Sequence, residues 1–139
     1  MKTFVVLAVS IVLVSILFCP MVMAAPSMPA DLQMVQPDPS LPKELSAFFG
    51  KWESVSYPRA FFVIVEKIDE EKASLYWWSQ NPGDPSPAGW TRREAQVIKE
   101  RGKYKLYYTG RWGNCDLTLK GEYLIGSNPQ GSEKYRRVP

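Results

Sequence analysis

The sequence predicts an all-β protein: a small antiparallel up-and-down β-barrel of about eight strands, preceded by a signal peptide and a Pro-rich tether. Three observations carry this expectation. From Gly50 onward, apolar and polar residues alternate in short runs, with the period of a strand rather than a helix. Short turns rich in Gly, Asn, Pro or charge separate the runs, so neighbours pair as hairpins. About eight runs fit, the number at which a meander closes on itself and loses its exposed edges.

The elements follow in order. Met1-Lys2-Thr3 is a short basic start, Phe4 to Phe18 is apolar apart from Ser10 and Ser15, and Val22-Met23-Ala24-Ala25 supplies small residues. This is the three-part plan of a secretory signal over residues 1–25, cleaved after Ala24 or Ala25. The chain is then exported, periplasmic or secreted; an uncleaved leader would act as an anchor instead. Residues 26–43 hold five prolines (26, 29, 37, 39 and 42) with Ser, Asp and Gln between them. Such a segment forms neither a helix interior nor a paired strand, and it reads as an extended tether. Leu45, Phe48 and Phe49 stand at helical spacing, so a short helical turn opens the barrel domain, 44–139, and closes one of its ends.

The strands begin at Lys51 to Tyr57, where Trp52, Ser54 and Ser56 share a face. Ala60 to Asp69 is apolar on both faces, with Phe61, Val63 and Val65 opposite Phe62, Ile64, Glu66 and Ile68. A charged turn, Asp69-Glu70-Glu71-Lys72, leads to Ala73 to Gln80, where Tyr76 and Trp78 face away from Leu75 and Trp77. Asn81 to Gly89 is a long Pro- and Gly-rich loop. Thr91 to Glu100, Tyr104 to Thr109, Cys115 to Lys120, Glu122 to Ile125 and Glu133 to Val138 complete the set, with Ser127 to Ser132 as a loop.

Composition narrows the function. Lys and Arg total 17 against 14 Asp and Glu, a formal charge of +3, too mild for a dedicated nucleic-acid binder. There is no histidine, which removes Ser-His and Cys-His catalysis and the commonest metal ligand. Of the two cysteines, Cys19 falls in the leader, so Cys115 alone remains. One thiol closes no intrachain disulfide and builds no zinc site. In phase with Leu117 and Leu119, it is expected to be buried and reduced. No cofactor or metal is expected.

Gly50-Lys51-Trp52 at the opening of the first strand, with Arg136 and Arg137 in the last, resembles the lipocalin or calycin barrels. The wider order resembles small bacterial lipocalin-like domains: Gly-Lys-Trp-Glu, then Val65 to Asp69, Tyr76-Trp77-Trp78, Lys120 to Tyr123 and Arg136-Arg137-Val138. The resemblance implies that Trp52 packs across a barrel end under an arginine from the last strand, a lock made of Gly50, Trp52 and Arg136 or Arg137. The core here is shorter than a typical lipocalin and lacks the usual bridge, which argues against a full-sized lipid cavity.

Tyr76, Trp77, Trp78 and Trp90 are the candidate ligand-binding residues, because the Trp77-Trp78 pair commits one indole inward and one outward. The outward one either forms a platform or lies under the Asn81 to Gly89 loop. Glu53, Glu66, Glu94 and Glu122 are the strand carboxylates that a glycosidase-type cell-envelope hydrolase would need, but nothing in their spacing pairs them. Glu66 is the one expected to be buried and paired. The sequence therefore points to an exported binding module for a small apolar ligand or glycan, without catalysis. No nucleic-acid partner is expected, and the membrane is met only through the leader if it stays uncleaved.

Overall fold

The computed structural model describes residues 26–56, 60–80 and 89–139. The expected signal peptide and most of the Asn81 to Gly89 loop lie outside the described residues. One short helix, α1 (Lys43–Ser46), precedes eight strands: β1 (Gly50–Ser54), β2 (Ala60–Ile68), β3 (Lys72–Gln80), β4 (Gly89–Glu100), β5 (Lys103–Gly110), β6 (Gly113–Lys120), β7 (Tyr123–Asn128) and β8 (Gly131–Val138). Each strand pairs antiparallel with the next, and β1 pairs with β8, so the sheet is a closed up-and-down barrel. That is the architecture the alternation predicts.

Antiparallel connection puts the turns at two ends. At one end lie α1, the start of β1, and the β2–β3, β4–β5 and β6–β7 turns; this is the closed end. The β5–β6 and β7–β8 turns, Val55 and Ser56 after β1, and the last residues of β3 lie at the other, the mouth. Leu45 and Phe48, each 1% exposed, plug the closed end. Above them Trp52, Val63, Val65, Leu75, Ala95, Leu106, Leu117 and Leu124 are all within 1% of complete burial. A water-sized gap among these side chains would register as exposed surface, so this half of the barrel is packed solid. Burying each of the Val and Leu side chains among them contributes roughly 1.5–3 kcal/mol against unfolding.

Two differences from the sequence expectation have local causes. Strict alternation puts Ile68 on the face of Ile64, yet Ile68 belongs to the inner core with Ala73. The register shifts between Val65 and Lys67, and this β-bulge swaps the phase of the last residues of β2. The Ser127 to Ser132 loop is instead a tight hairpin: β7 runs to Asn128, β8 starts at Gly131, and the Gln130 amide donates to Asn128 Oδ1 at 2.8 Å.

The Pro-rich segment is more than a tether. Ser27 to Gln36 forms a strap across the outside of β2, β3 and β4. The Trp90 indole donates to the Ser27 carbonyl at 2.7 Å. Further along, the Gln33 amide donates to Glu66 Oε2 at 3.1 Å and the Val35 amide to the Glu66 carbonyl at 2.8 Å. The strap runs from the mouth to the closed end, where Leu41, 8% exposed, joins the core ahead of α1.

Candidate functional site

The closed end holds the Trp52 cluster. Trp52 and Arg137 stand directly opposite each other in the β1–β8 register, so their side chains share a face. The Arg137 guanidinium lies 4.2 Å from the Trp52 ring centroid. It also donates to the Phe49 carbonyl at 2.6 Å and to that of Ala47, while the Trp52 indole donates to the Phe48 carbonyl at 3.0 Å. One arginine thereby satisfies carbonyls that the end of α1 leaves without helical partners. Gly50 makes room for it: a Cβ there would stand 2.5 Å from Arg137 Nη1, and the residue has φ +126°. Burial pushes the Arg137 pKa down. Arg136 points the other way and pairs with Glu53 on the outer surface.

The four aromatic candidates fall into two places. Tyr76, Trp78 and Trp90 lie on the outer face with Phe62. Trp78 meets Phe62 edge-on at 5.5 Å and Trp90 at 6.4 Å, and Tyr76 is perpendicular to Trp90 at 6.5 Å. Tyr76 and Trp78 are nonetheless buried, at 3% and 8% exposure. The strap lies along this cluster, bonded to Trp90 at Ser27 and to Glu66 at Gln33. Burial first, and then the nearby Asp31 and Glu66 carboxylates, raise the Tyr76 pKa. The sequence does carry a signal for this cover: β2 and β3 are apolar on both faces, and an outer apolar face needs something over it.

Glu66 sits at the bulge, 1% exposed. Its carboxylate accepts from the Gln33 amide, from Ser74 Oγ at 2.8 Å and from Arg92. Burial alone would raise its pKa, but these donors outweigh it and lower it below the ordinary value. Glu94 pairs with Lys72 at 3.2 Å. Glu53, Glu66 and Glu94 therefore each meet a cation on the outer surface, and Glu122 lies exposed in the β6–β7 turn rather than in a strand. None of them faces another across a cleft.

Trp77 faces inward, at the mouth end. It is half-buried and stacks on Phe61, with centroids 5.8 Å apart and planes 26° apart. Its register neighbours place Thr91 beside it and Arg93 opposite Leu75, on the inner face. Below lie Tyr108, Cys115 and Tyr135, at 9%, 8% and 4% exposure. Burial pushes the Tyr108 phenol well up, with Cys115 and Tyr135 adding to it and Arg93 pulling it down. Burial also raises Tyr135, against a hydrogen bond from Trp77. Gly126 admits the Tyr135 ring, since a Cβ there would stand 3.1 Å from it. Glu133 completes the rim and accepts from Ser54 Oγ at 2.6 Å. The inner face is thus a packed lower half with a half-buried aromatic layer above it at the mouth end, Trp77 on Phe61, beside the half-buried Arg93, which has no ion pair among the described residues.

Sequence reasoning missed Phe61, Arg93, Tyr108 and Tyr135 as members of this inner layer. The phase was readable: Arg93 alternates with Ala95 and Val97. A charged residue in an inward phase near a strand start is the signal. Among the described residues no group of three His, Cys, Asp or Glu could hold a metal ion. Comparison with models of protein families, with curated proteins and with solved structures finds no match.

Proposed function

We propose that the protein is a lipocalin-like binding module that takes a small, largely apolar ligand into the mouth of the barrel, against Trp77 and Phe61. The observation that carries this reading is the half-buried Trp77–Phe61 stack above a packed floor. Large apolar rings left partly open at a barrel mouth favour a ligand that covers them. The Trp52–Arg137 arrangement and the eight-strand meander support kinship with the calycin barrels. The filled lower half limits the guest to one ring or a short acyl chain. Arg93 favours a guest with an acidic group, by charge and by its planar set of donors. A glycan on the outer aromatic face is less favoured, because the strap lies along it.

The test is tryptophan emission under titration with short-chain fatty acids and aromatic carboxylic acids. Quenching that saturates, and that disappears in Trp77→Ala but persists in Trp112→Ala, is expected. Arg93→Gln is expected to weaken acids about tenfold while leaving the matching alcohols unchanged. Saturable quenching that survives Trp77→Ala would move the site elsewhere.

A further inference from the structure

The closed end holds an open pocket that the Trp52–Arg137 arrangement does not require. Its volume is about 390 Å³, and it lies where the chain running from the strap into α1 meets β8. Small-molecule sites are commonly of this size. Pro37, Asp38, Leu41, Lys43, Phe49 and Arg137 are among the residues that line it.

Two of these residues bring cations with unspent donors. Arg137 gives N–H groups to the Phe49 and Ala47 carbonyls, but a guanidinium carries five. It meets no carboxylate among the described residues, and burial, with no anion to offset it, lowers its pKa. The Lys43 ammonium likewise has no partner among the described residues. Asp38 brings the opposite charge. Its Oδ1 accepts from Ser40 Oγ at 2.6 Å and from the Ser40 amide at 2.8 Å, and these bonds hold the carboxyl below its usual pKa. Leu41, 8% exposed, and the half-buried Phe49 supply an apolar wall beside the charges. A simple anion in this pocket is attracted by Lys43 and Arg137 and repelled by Asp38, and a simple cation meets the reverse. A small molecule with both charges and an apolar body complements the whole lining.

We propose that this pocket binds a free α-amino acid with an apolar side chain. The carboxylate is held by Arg137, whose planar donors match it, and by Lys43. The ammonium meets Asp38, and the side chain lies against Leu41, Phe49 and Pro37. The bound molecule ties the segment ahead of α1 to the last strand. The site is at the opposite end of the barrel from Trp77 and Phe61, so it stands whether or not a guest enters the mouth.

The experiment is amide-resolved NMR on the protein with its native N-terminus, titrated with leucine, leucinamide and 4-methylpentanoate. Leucine is expected to shift the amides of residues 38–49 and 137 saturably, leaving those of residues 61, 77 and 93 in place. Leucinamide lacks the carboxylate and 4-methylpentanoate lacks the ammonium, so each is expected to bind there several-fold more weakly. Lys43→Gln is expected to weaken leucine about threefold to fivefold, the scale of an exposed charge pair. Asp38→Asn keeps the side-chain oxygen that Ser40 donates to, so the turn persists. It is expected to abolish the preference for leucine over 4-methylpentanoate. Leucine shifts absent from residues 38–49, or equal binding of all three compounds to the parent, would overturn the proposal. So would leucine affinity unchanged in Lys43→Gln, or a leucine preference that persists in Asp38→Asn.

Discussion

Arg137 gathers three separate restraints in one side chain: the face of Trp52, the Phe49 carbonyl and the Ala47 carbonyl. Arg136, its neighbour, has one exposed ion pair with Glu53. Arg137→Ala is therefore expected to lower stability by about 2–3 kcal/mol, from a lost cation–π contact and two charged hydrogen bonds. Arg136→Ala is expected to cost at most about 1 kcal/mol, since exposed pairs contribute little. Urea denaturation of the two variants checks the order, and equal losses would show that the pair had been assigned the wrong way. The sequence names both arginines as candidates. What separates them is phase: Tyr135 is the one large apolar residue ahead of them, and Arg137 shares its face. The same reading picks out Trp52 and Trp77 as inward, because strand period is fixed by backbone geometry and needs no tertiary knowledge.

The strap is the element that composition hides. The five prolines of residues 26–43, only Pro29 among them within the strap, exclude a long helix or ladder strand, and the segment has no period to read. Its docking depends on tertiary partners: the bulged Glu66, and the indole of Trp90. The bulge itself carries no glycine signal, which is why Ile68 is misplaced by simple alternation. The strap does supply a clear acid response. The Glu66 pKa lies below its ordinary 4.5 in the folded protein. A lowered carboxylate pKa means stability that is present above the unfolded value and lost as pH falls through the folded one. Below about pH 4.5 the strap is expected to loosen progressively while the barrel stays closed. Exchange at the Gln33 amide and Trp90 emission report it directly. Glu66→Ala is expected to speed Gln33 exchange at least about tenfold at neutral pH and to flatten this acid response. An unchanged acid response in that variant would place the sensing group elsewhere.

At the scale of the whole molecule, the pairings are of two kinds. Every strand but one seam pairs with its neighbour in sequence, and the seam joins β1 to β8. Lys51 Nζ reaches the Pro139 carbonyl at 2.9 Å, so the final residue of the chain lies beside the first strand. This was legible in outline, because hairpin turns and a count near eight imply a meander that closes. The hairpins need only local contacts, but the seam needs the last residues present. A growing chain that lacks β8 holds two unpaired edges, a Trp52 without its cation and α1 without the donors that satisfy it. Such a chain has nothing to close the barrel, so it remains open. The ordering has a consequence during synthesis: the compact state arrives only once β8 is available to pair with β1. A chain stopped at Asn128 is expected to be cut rapidly by protease where the complete chain resists.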